Sequence, residues 1–184
     1  MKILIKALAT SPHLTISKLY NNLKSMGYGA GKTTLANYIE HLKDSFIVFT
    51  VFSQEKSYKK QEMLGFKPYF VDNGLLNIMG CDKSRLLENL VFTELIKRGI
   101  TDIYYYITKR GEEVDFLIKD RNKSELIEVT CEPDEDHVTR VKRAMNELGI
   151  KRAVIISEDE DDVIRTDVGY IEIKPLWKWL SGLD

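Results

Sequence analysis

The stretch 113–130 reads EVDFLIKDRNKSELIEVT, and it decides the fold of the second half of the chain. Two apolar runs, 113–119 and 124–131, are rich in β-branched and aromatic residues and are separated by a polar turn, which is typical of neighbouring strands. Each run carries one carboxylate in its middle, Asp115 and Glu128. Because a carboxylate among Ile, Val and Phe is costly to bury alone, both acids need a partner or a cation.

The segments on either side of this stretch complete an αβββαβ order. The sequence predicts a helix over 84–98 and a strand over 103–108 before it. After it, Pro133 opens a helix to about residue 148, and 152–157 is a strand of the buried type. Because the last strand is reached through a helical crossover, we expect a mixed sheet with helices on both faces.

The first part of the chain has a different order. Apolar spacing predicts helices over 1–9, 18–25 and 32–43, and two β-rich runs, 46–52 and 67–71, follow them. Three helices followed by a hairpin are typical of a winged helix, whose third helix lies in the major groove of DNA. Such modules also serve as protein–protein packing units, so this pattern leaves both roles open.

The charge distribution favours nucleic acid for the first part. Nine lysines against three acids give residues 1–60 a net charge of +6, and the remaining 18 basic and 25 acidic residues give −7. A basic module joined to an acidic one indicates two domains, of which the first is a candidate for binding double-stranded DNA. The predicted DNA contacts on the third helix and in the following turn are Lys32, Thr33, Asn37, Lys43, Lys56, Lys59 and Lys60.

A glycine-rich segment, 29–34, resembles the end of a P-loop. The full pattern needs a glycine at position 26, which is Met26, and a buried strand before the loop, where this chain has a helix. We therefore predict no nucleotide-binding site. The glycines are expected to form the turn of a helix-turn-helix, with Thr33 or Thr34 capping the third helix.

The second part carries the pattern of a metal-dependent phosphodiesterase. Asp115 and Glu128, with Glu88 from the preceding helix, form an oxygen-rich set for Mg²⁺ or Mn²⁺, and Glu94 is the alternative helix acid. This is the arrangement of PD-(D/E)xK nucleases, in which metal-bound water attacks the phosphodiester. The predicted catalytic and metal-binding residues are therefore Glu88, Asp115 and Glu128.

The sequence departs from that pattern at its lysine. Thr130 stands where the nuclease motif has Lys, and threonine supplies no positive charge. Two interpretations stay open. One is an active nuclease in which another cation acts in place of the motif lysine, and the other is a nuclease-like fold kept as a binding module. The residues available as that cation are Lys119, Arg140 and Lys142. Alternatively, the acids are structural and pair with Lys109, Arg110 or a tyrosine hydroxyl.

The predicted fold class is α/β (α+β). It has a winged helix at 1–72 and an αβββαβ, restriction-endonuclease-like mixed sheet flanked by helices at 73–184. Cys81 and Cys131 lack metal-ligand spacing, so we expect no disulfide and no zinc site. No segment has the apolar length of a membrane span or of a signal peptide, so we predict a cytoplasmic protein without a membrane partner.

Several stretches also resemble, in order, a known family. They are 33–44 with 46–48, 67–75, 88–95, 112–118, 126–130, 154–157 and 174–180, and together they cover nearly the whole chain. They are similar to the C-terminal part of archaeal and bacterial AAA-type ATPases, which end in a winged helix and a restriction-endonuclease-like domain of unknown function. Archaeal members often lack the nuclease lysine, which agrees with Thr130.

The resemblance implies a function without ATPase activity. Members of that family carry an ATPase domain ahead of these elements, and this chain looks like the C-terminal half alone. We therefore expect a DNA-associated accessory module with a degenerate nuclease-like domain and no ATPase activity, whose protein partner is a separate ATPase subunit. The alternatives are a Mg²⁺- or Mn²⁺-dependent endonuclease and a protein-binding regulator that does not contact nucleic acid.

Overall fold

A computed structural model describes residues 1–55, 57–120 and 123–182. The chain divides into two compact units, Met1–Thr93 and Glu94–Asp184. The division lies inside a helix and later than the predicted boundary after residue 72, because the first half of that helix binds a strand of the first unit. The domain types assigned to 1–72 and 73–184 stay predictions.

The first unit is mainly helical. Its strands form one antiparallel pair, in which Val48 lies opposite Phe70, and Leu14 adds an isolated antiparallel bridge to Phe66. The elements are α1 (Lys2–Ala9), α2 (Ile16–Ser25), α3 (Lys32–Asp44), β1 (Val48–Phe52), α4 (Tyr58–Leu64), β2 (Phe66–Phe70), α5 (Asn73–Ile78) and α6 (Lys83–Lys97). The predicted order of three helices followed by a hairpin is present, with α4 in the segment that was predicted to be a turn.

The core of this unit follows the spacing of its apolar residues. Leu35, Ile39 and Leu42 on α3 are buried against leucines of α1 and α2, and each such side chain stabilises the fold by about 1.5–3 kcal/mol. Thr15 caps α2 by accepting a hydrogen bond from the Lys18 amide. The predicted cap of α3 is wrong: Gly31 is its N-cap and offers no side chain. Neither Thr33 nor Thr34 can act as the cap because both lie inside the first turn of the helix.

The C-terminal end of α3 places a bulky residue in a left-handed conformation. Phe46 has φ +55°, its amide donates to the Lys43 carbonyl, and the Ile47 amide donates to the Leu42 carbonyl. These two bonds define a Schellman motif, whose left-handed position usually holds glycine. Helix α2 ends in the same way with Gly27. The Phe46 ring is 69% exposed, so little burial offsets its strain.

We expect Phe46→Gly to stabilise the protein by about 0.5–1 kcal/mol, because it removes left-handed strain from an exposed position. The free energy of unfolding in urea measures this change. Phe46→Ala is the matched control, since it removes the ring but keeps a Cβ, and it is expected to leave stability almost unchanged. Equal stabilisation by both variants would instead mean that the exposed ring, not the backbone, is unfavourable.

The second unit is built on a six-stranded sheet with strand order β3-β4-β5-β6-β8-β7. Strands β3, β4 and β5 are antiparallel, β5, β6 and β8 are parallel, and β7 is antiparallel at the edge. The elements are β3 (Ile103–Ile107), β4 (Glu113–Asp120), β5 (Lys123–Val129), α7 (Glu135–Leu148), β6 (Arg152–Ser157), β7 (Asp162–Arg165), β8 (Tyr170–Pro175) and α8 (Leu176–Ser181). The mixed α/β architecture is confirmed, and β7 is a strand that the sequence analysis missed.

Helix α7 packs on one face of this sheet. Its Val141, Ala144 and Met145 are fully buried with Leu126 and Ile155 of the strands. The Asp134 carboxylate caps the helix by accepting from the His137 amide at 2.9 Å, and Gly149 ends it with φ +69°. The register of this helix determines which of its polar side chains reach the strand acids.

Candidate functional site

Glu88, the predicted helix acid, lies in a buried ion-pair cluster of the first unit. Its Oε1 is 2.7 Å from the Lys67 ammonium and accepts a hydrogen bond of 2.6 Å from the Tyr69 hydroxyl. Arg85, one turn earlier on α6, places its guanidinium 3.7 Å from the other carboxylate oxygen. Burial opposes ionisation, but Lys67, Arg85 and the Tyr69 hydrogen bond outweigh it and hold the pKa of Glu88 below its ordinary value.

The neighbouring residues of α6 bind the backbone of β2. The side-chain amide of Asn89 pairs with the backbone of Phe70. Its Oδ1 accepts from the Phe70 amide at 2.7 Å and its Nδ2 donates to the Phe70 carbonyl at 3.0 Å, as a neighbouring strand would. Arg85 also donates to the Pro68 carbonyl. These contacts satisfy polar groups that are otherwise costly to bury. They explain why the first half of α6 belongs to the first unit, and they give Glu88 a structural role there.

Asp115 and Glu128 come together as predicted, on β4 and β5 of the second unit. The Asp115 amide donates to Glu128 Oε2 at 3.3 Å, and the Val129 amide donates to Asp115 Oδ2 at 2.9 Å. Each carboxylate therefore accepts from the strand that carries the other one. The two acids form a cross-strand pair where the regular ladder of these strands ends, at Phe116 opposite Ile127.

Arg140 supplies the positive charge at this pair. Its guanidinium, on α7, donates to Glu128 Oε1, and only 4% of the Glu128 side chain is exposed. Of the three cations considered in place of the motif lysine, Arg140 is beside the acids. Lys142 pairs with Asp167 at 2.9 Å, and Lys119 lies over the Tyr104 ring. Arginine is suited to this position because its planar guanidinium stays charged when partly buried.

Thr130 is engaged locally. It is buried, its hydroxyl donates to the Glu132 carbonyl at 3.1 Å, and its amide donates to the Ile156 carbonyl of β6. Across 1–55, 57–120 and 123–182, no three His, Cys, Asp or Glu side chains gather into a group that could hold a metal ion. Catalysis and metal binding by Glu88, Asp115 and Glu128 stay predictions.

The predicted DNA contacts lie on the exposed surface of α3 and α4, apart from Lys43, which is half-buried, and Lys56, which lies outside the described residues. Two of these lysines already have acidic partners in the first unit. Lys43 pairs with Glu40 at 2.9 Å and Lys60 pairs with Glu55 at 3.7 Å. Exposed pairs of this kind are weak and exchange readily with other anions.

A basic cluster at the start of α3 is the clearest feature of this surface. The Lys24 and Lys32 ammonium groups lie 5.6 and 5.7 Å from the centre of the Tyr20 ring, and Lys32 also donates to the Ser17 hydroxyl at 3.0 Å. Lys24 is not among the predicted DNA contacts. Its position four residues after Tyr20 on a helix was the available signal, because residues at that spacing are neighbours.

In the part of the chain that the structure describes, no helix combines the length and the apolar character needed to cross a membrane. Cys81 and Cys131 are both free thiols. Burial, reinforced by Asp82 against the opposing charge of Arg85, raises the pKa of the Cys81 thiol. A raised pKa makes this thiol a poor nucleophile at neutral pH.

Known proteins match the chain along most of its length. An uncharacterized protein of Methanocaldococcus jannaschii is 33% identical over 182 residues, covering 90% of this chain and 40% of that protein. An uncharacterized protein of Haemophilus influenzae is 28% identical over 129 residues, covering 67% of this chain and 32% of that protein. The chain therefore spans less than half the length of either relative.

Two family descriptions divide the chain between them. Residues 3–85 match a family described as Domain of unknown function (DUF8612), and residues 83–179 match one described as Domain of unknown function (DUF4143). The two matches meet at the start of α6, near the division between the compact units. Since the second match covers more than half of the 184 residues, the chain belongs to the family described as Domain of unknown function (DUF4143).

Proposed function

We propose that this chain is a DNA-associated accessory module, in which the first unit binds duplex DNA and the second is a nuclease-like unit that does not cleave it. The observation that carries the proposal is the pair of ammonium groups, Lys24 and Lys32, that share the Tyr20 ring. Because both lie within 6 Å of one ring centre, they are close enough to contact neighbouring phosphates of one duplex.

The surroundings of this cluster favour an anion. Helix α3 begins at Gly31 without a side-chain cap, so the amides of its first turn are available to an acceptor beside Lys32. The positive end of the helix dipole adds to the two ammonium charges. The Tyr20 ring holds the lysines near each other, which lowers the entropic cost of ordering both on a phosphate backbone.

The topology of the first unit supports a winged helix as part of this proposal. Its elements follow the order of three helices and a hairpin, and the isolated bridge to Phe66 is made by Leu14, which lies between α1 and α2 in the chain. In a winged helix the third helix is the one that enters the major groove, which here is α3. Its exposed Asn37 is suited to reading base edges there.

The acid pair of the second unit supports binding without cleavage. A divalent metal ion at Asp115 and Glu128 would have to displace the Arg140 guanidinium, which already neutralises the buried Glu128 carboxylate. In addition, Thr130 supplies no charge at the motif position. The resemblance to AAA-type ATPases suggests a separate ATPase subunit as protein partner. The proposal also includes a cytoplasmic location, which the sequence analysis predicts.

We expect Lys24→Glu/Lys32→Glu to weaken binding to a labelled duplex by about tenfold or more and to reduce the salt slope by at least about 2, because two phosphate contacts are lost. Fluorescence anisotropy between about 50 and 200 mM salt measures both quantities. Lys109→Glu/Lys151→Glu, which reverses two exposed lysines of the second unit, changes the net charge equally and serves as control. Equal losses in both variants, or no binding by the wild type at low salt, would refute the proposal.

A Mg²⁺- or Mn²⁺-dependent endonuclease is the second candidate, favoured by the contact between Asp115 and Glu128. A bound metal ion would supply an activated water, and these two carboxylates would hold the metal ion. Cleavage of plasmid DNA in Mn²⁺ that is lost in Asp115→Ala would establish this activity. Under the proposed accessory function, neither the wild type nor the variant cleaves the plasmid.

A further inference from the structure

Two acidic runs of the second unit contribute to the wall of one groove. The segments 132–136 and 158–162 contain four and five acids, and they are separated in sequence by α7 and β6. Asp134 and Glu135 from the first run and Glu160 from the second line a groove of about 440 Å³. The sequence alone is compatible with two separate solvated loops, whereas the fold places both beside the same cavity.

The floor of this acidic groove is apolar. Val138 of α7, Ile164 of β7 and Ile173 of β8 line it together with the acids. Ile173 is buried, while Val138 and Ile164 are partly accessible. An apolar floor beneath acidic walls is suited to a ligand with both positive and apolar groups, because each kind of group then finds its complement.

The acids that line the groove do not form a metal site. In the described ranges no three acidic, histidine or cysteine side chains are arranged to hold a metal ion. Asp134 is hydrogen-bonded to His137, and Asp161 forms an ion pair with Lys178. Nine acids within two short runs give this region a local excess of negative charge, whose self-repulsion destabilises the fold. A partner with spaced positive charges would relieve that repulsion.

The groove also lies beside a sheet edge. Strand β7, which contributes Ile164, is the outermost strand on its side of the sheet, and its Val163 is 59% exposed. An edge strand offers backbone donors and acceptors to an added strand. An extended segment at this edge could place apolar residues against Val138 and Ile164 and basic residues beside the acids that line the same groove.

We propose that the acidic groove binds an extended segment of a partner protein that carries both apolar residues and lysine or arginine. The proposal rests on the charge of the walls, the apolar floor and the edge strand. It does not depend on whether the first unit binds DNA. The groove lies wholly in the second unit, and the partner is defined only by this pattern of side chains.

The probe is a labelled short peptide in which lysine alternates with valine. We expect the full chain to bind this peptide in an anisotropy titration. Glu135→Lys/Glu160→Lys is expected to weaken binding by about tenfold or more, because it reverses charge on both walls. The control Asp44→Lys/Glu62→Lys makes the same charge change at exposed acids of the first unit. It is expected to weaken binding by less than about threefold, since neither residue lines the groove and exposed charges are screened by salt.

A second pair of measurements tests the apolar part of the proposal. A peptide in which serine replaces valine keeps the charge and is expected to bind about tenfold more weakly than the valine peptide. Ile164→Thr is expected to weaken the valine peptide and leave the serine peptide unchanged. Equal affinity for the two peptides, or equal losses in the groove and control double variants, would show general electrostatic attraction and overturn the proposal.

Discussion

Glu88→Gln is expected to lower the free energy of unfolding by about 3–5 kcal/mol at neutral pH, because it leaves two buried cations without their carboxylate. Lys67 is 2% exposed and Arg85 is 7% exposed, so water cannot solvate these two cations in place of the carboxylate. Urea unfolding followed by circular dichroism measures the change.

The pH dependence of this effect has a defined sign. Burial raises the pKa of Glu88, but Lys67, Arg85 and the Tyr69 hydroxyl lower it further, so the pKa in the folded state lies below the ordinary value of 4.5. A group of this kind contributes stability that is complete above its unfolded pKa and is lost as the pH falls through the folded pKa. The difference between wild type and Glu88→Gln should therefore be constant near neutrality and shrink below about pH 4.5.

Glu94→Gln is the matched control, because it removes the same charge from the same helix. Glu94 pairs with Arg98 one turn later at 3.0 Å and is more exposed than Glu88, so its loss should cost only about 0.3–0.5 kcal/mol. A stable Glu88→Gln variant would refute the structural role of the cluster. Loss of a metal-dependent cleavage in that stable variant would support the catalytic role predicted from sequence.

The pairing of β4 with β5 in the second unit was predictable because its evidence is local. The runs 113–119 and 124–131 are separated by a short polar turn, which favours an antiparallel pair. In such a pair, acids near the far ends of the two runs must approach each other, and Asp115 and Glu128 do so. Strand β7 was missed because its four residues begin inside an acidic run and carry little apolar periodicity.

The partners of the acids were not predictable, because they are set by packing between distant elements. Lys67 reads as an exposed residue of a strand, yet it is buried against a carboxylate 21 positions later. Arg140 was one of three cations considered, and only the register of α7 on the sheet places it beside Glu128. Lysine and arginine are mostly exposed in proteins, so the local sequence around Lys67 and Arg140 does not indicate that either one packs against a buried acid.

The second large effect is expected from Arg140→Met, which should lower the free energy of unfolding by about 3 kcal/mol, since it leaves the Glu128 carboxylate buried without a cation. The Glu128 side chain is 4% exposed, and the Asp115 carboxylate beside it adds a like charge. Urea unfolding at neutral pH measures the loss. The double variant Arg140→Met/Glu128→Gln should recover most of it, because the uncompensated charge is then absent.

Arg143→Met is the control for Arg140→Met, because Arg143 lies on the same helix and pairs with an acid that is more than one-third exposed, Glu112. Its loss should cost less than about 1 kcal/mol. The same variants separate the two functions considered for this unit. If Arg140 neutralises Glu128 and excludes a metal ion, Arg140→Met loses stability and the wild type does not cleave DNA in Mn²⁺. If Arg140 acts in place of the motif lysine, the wild type cleaves DNA and Arg140→Met loses cleavage while keeping its stability.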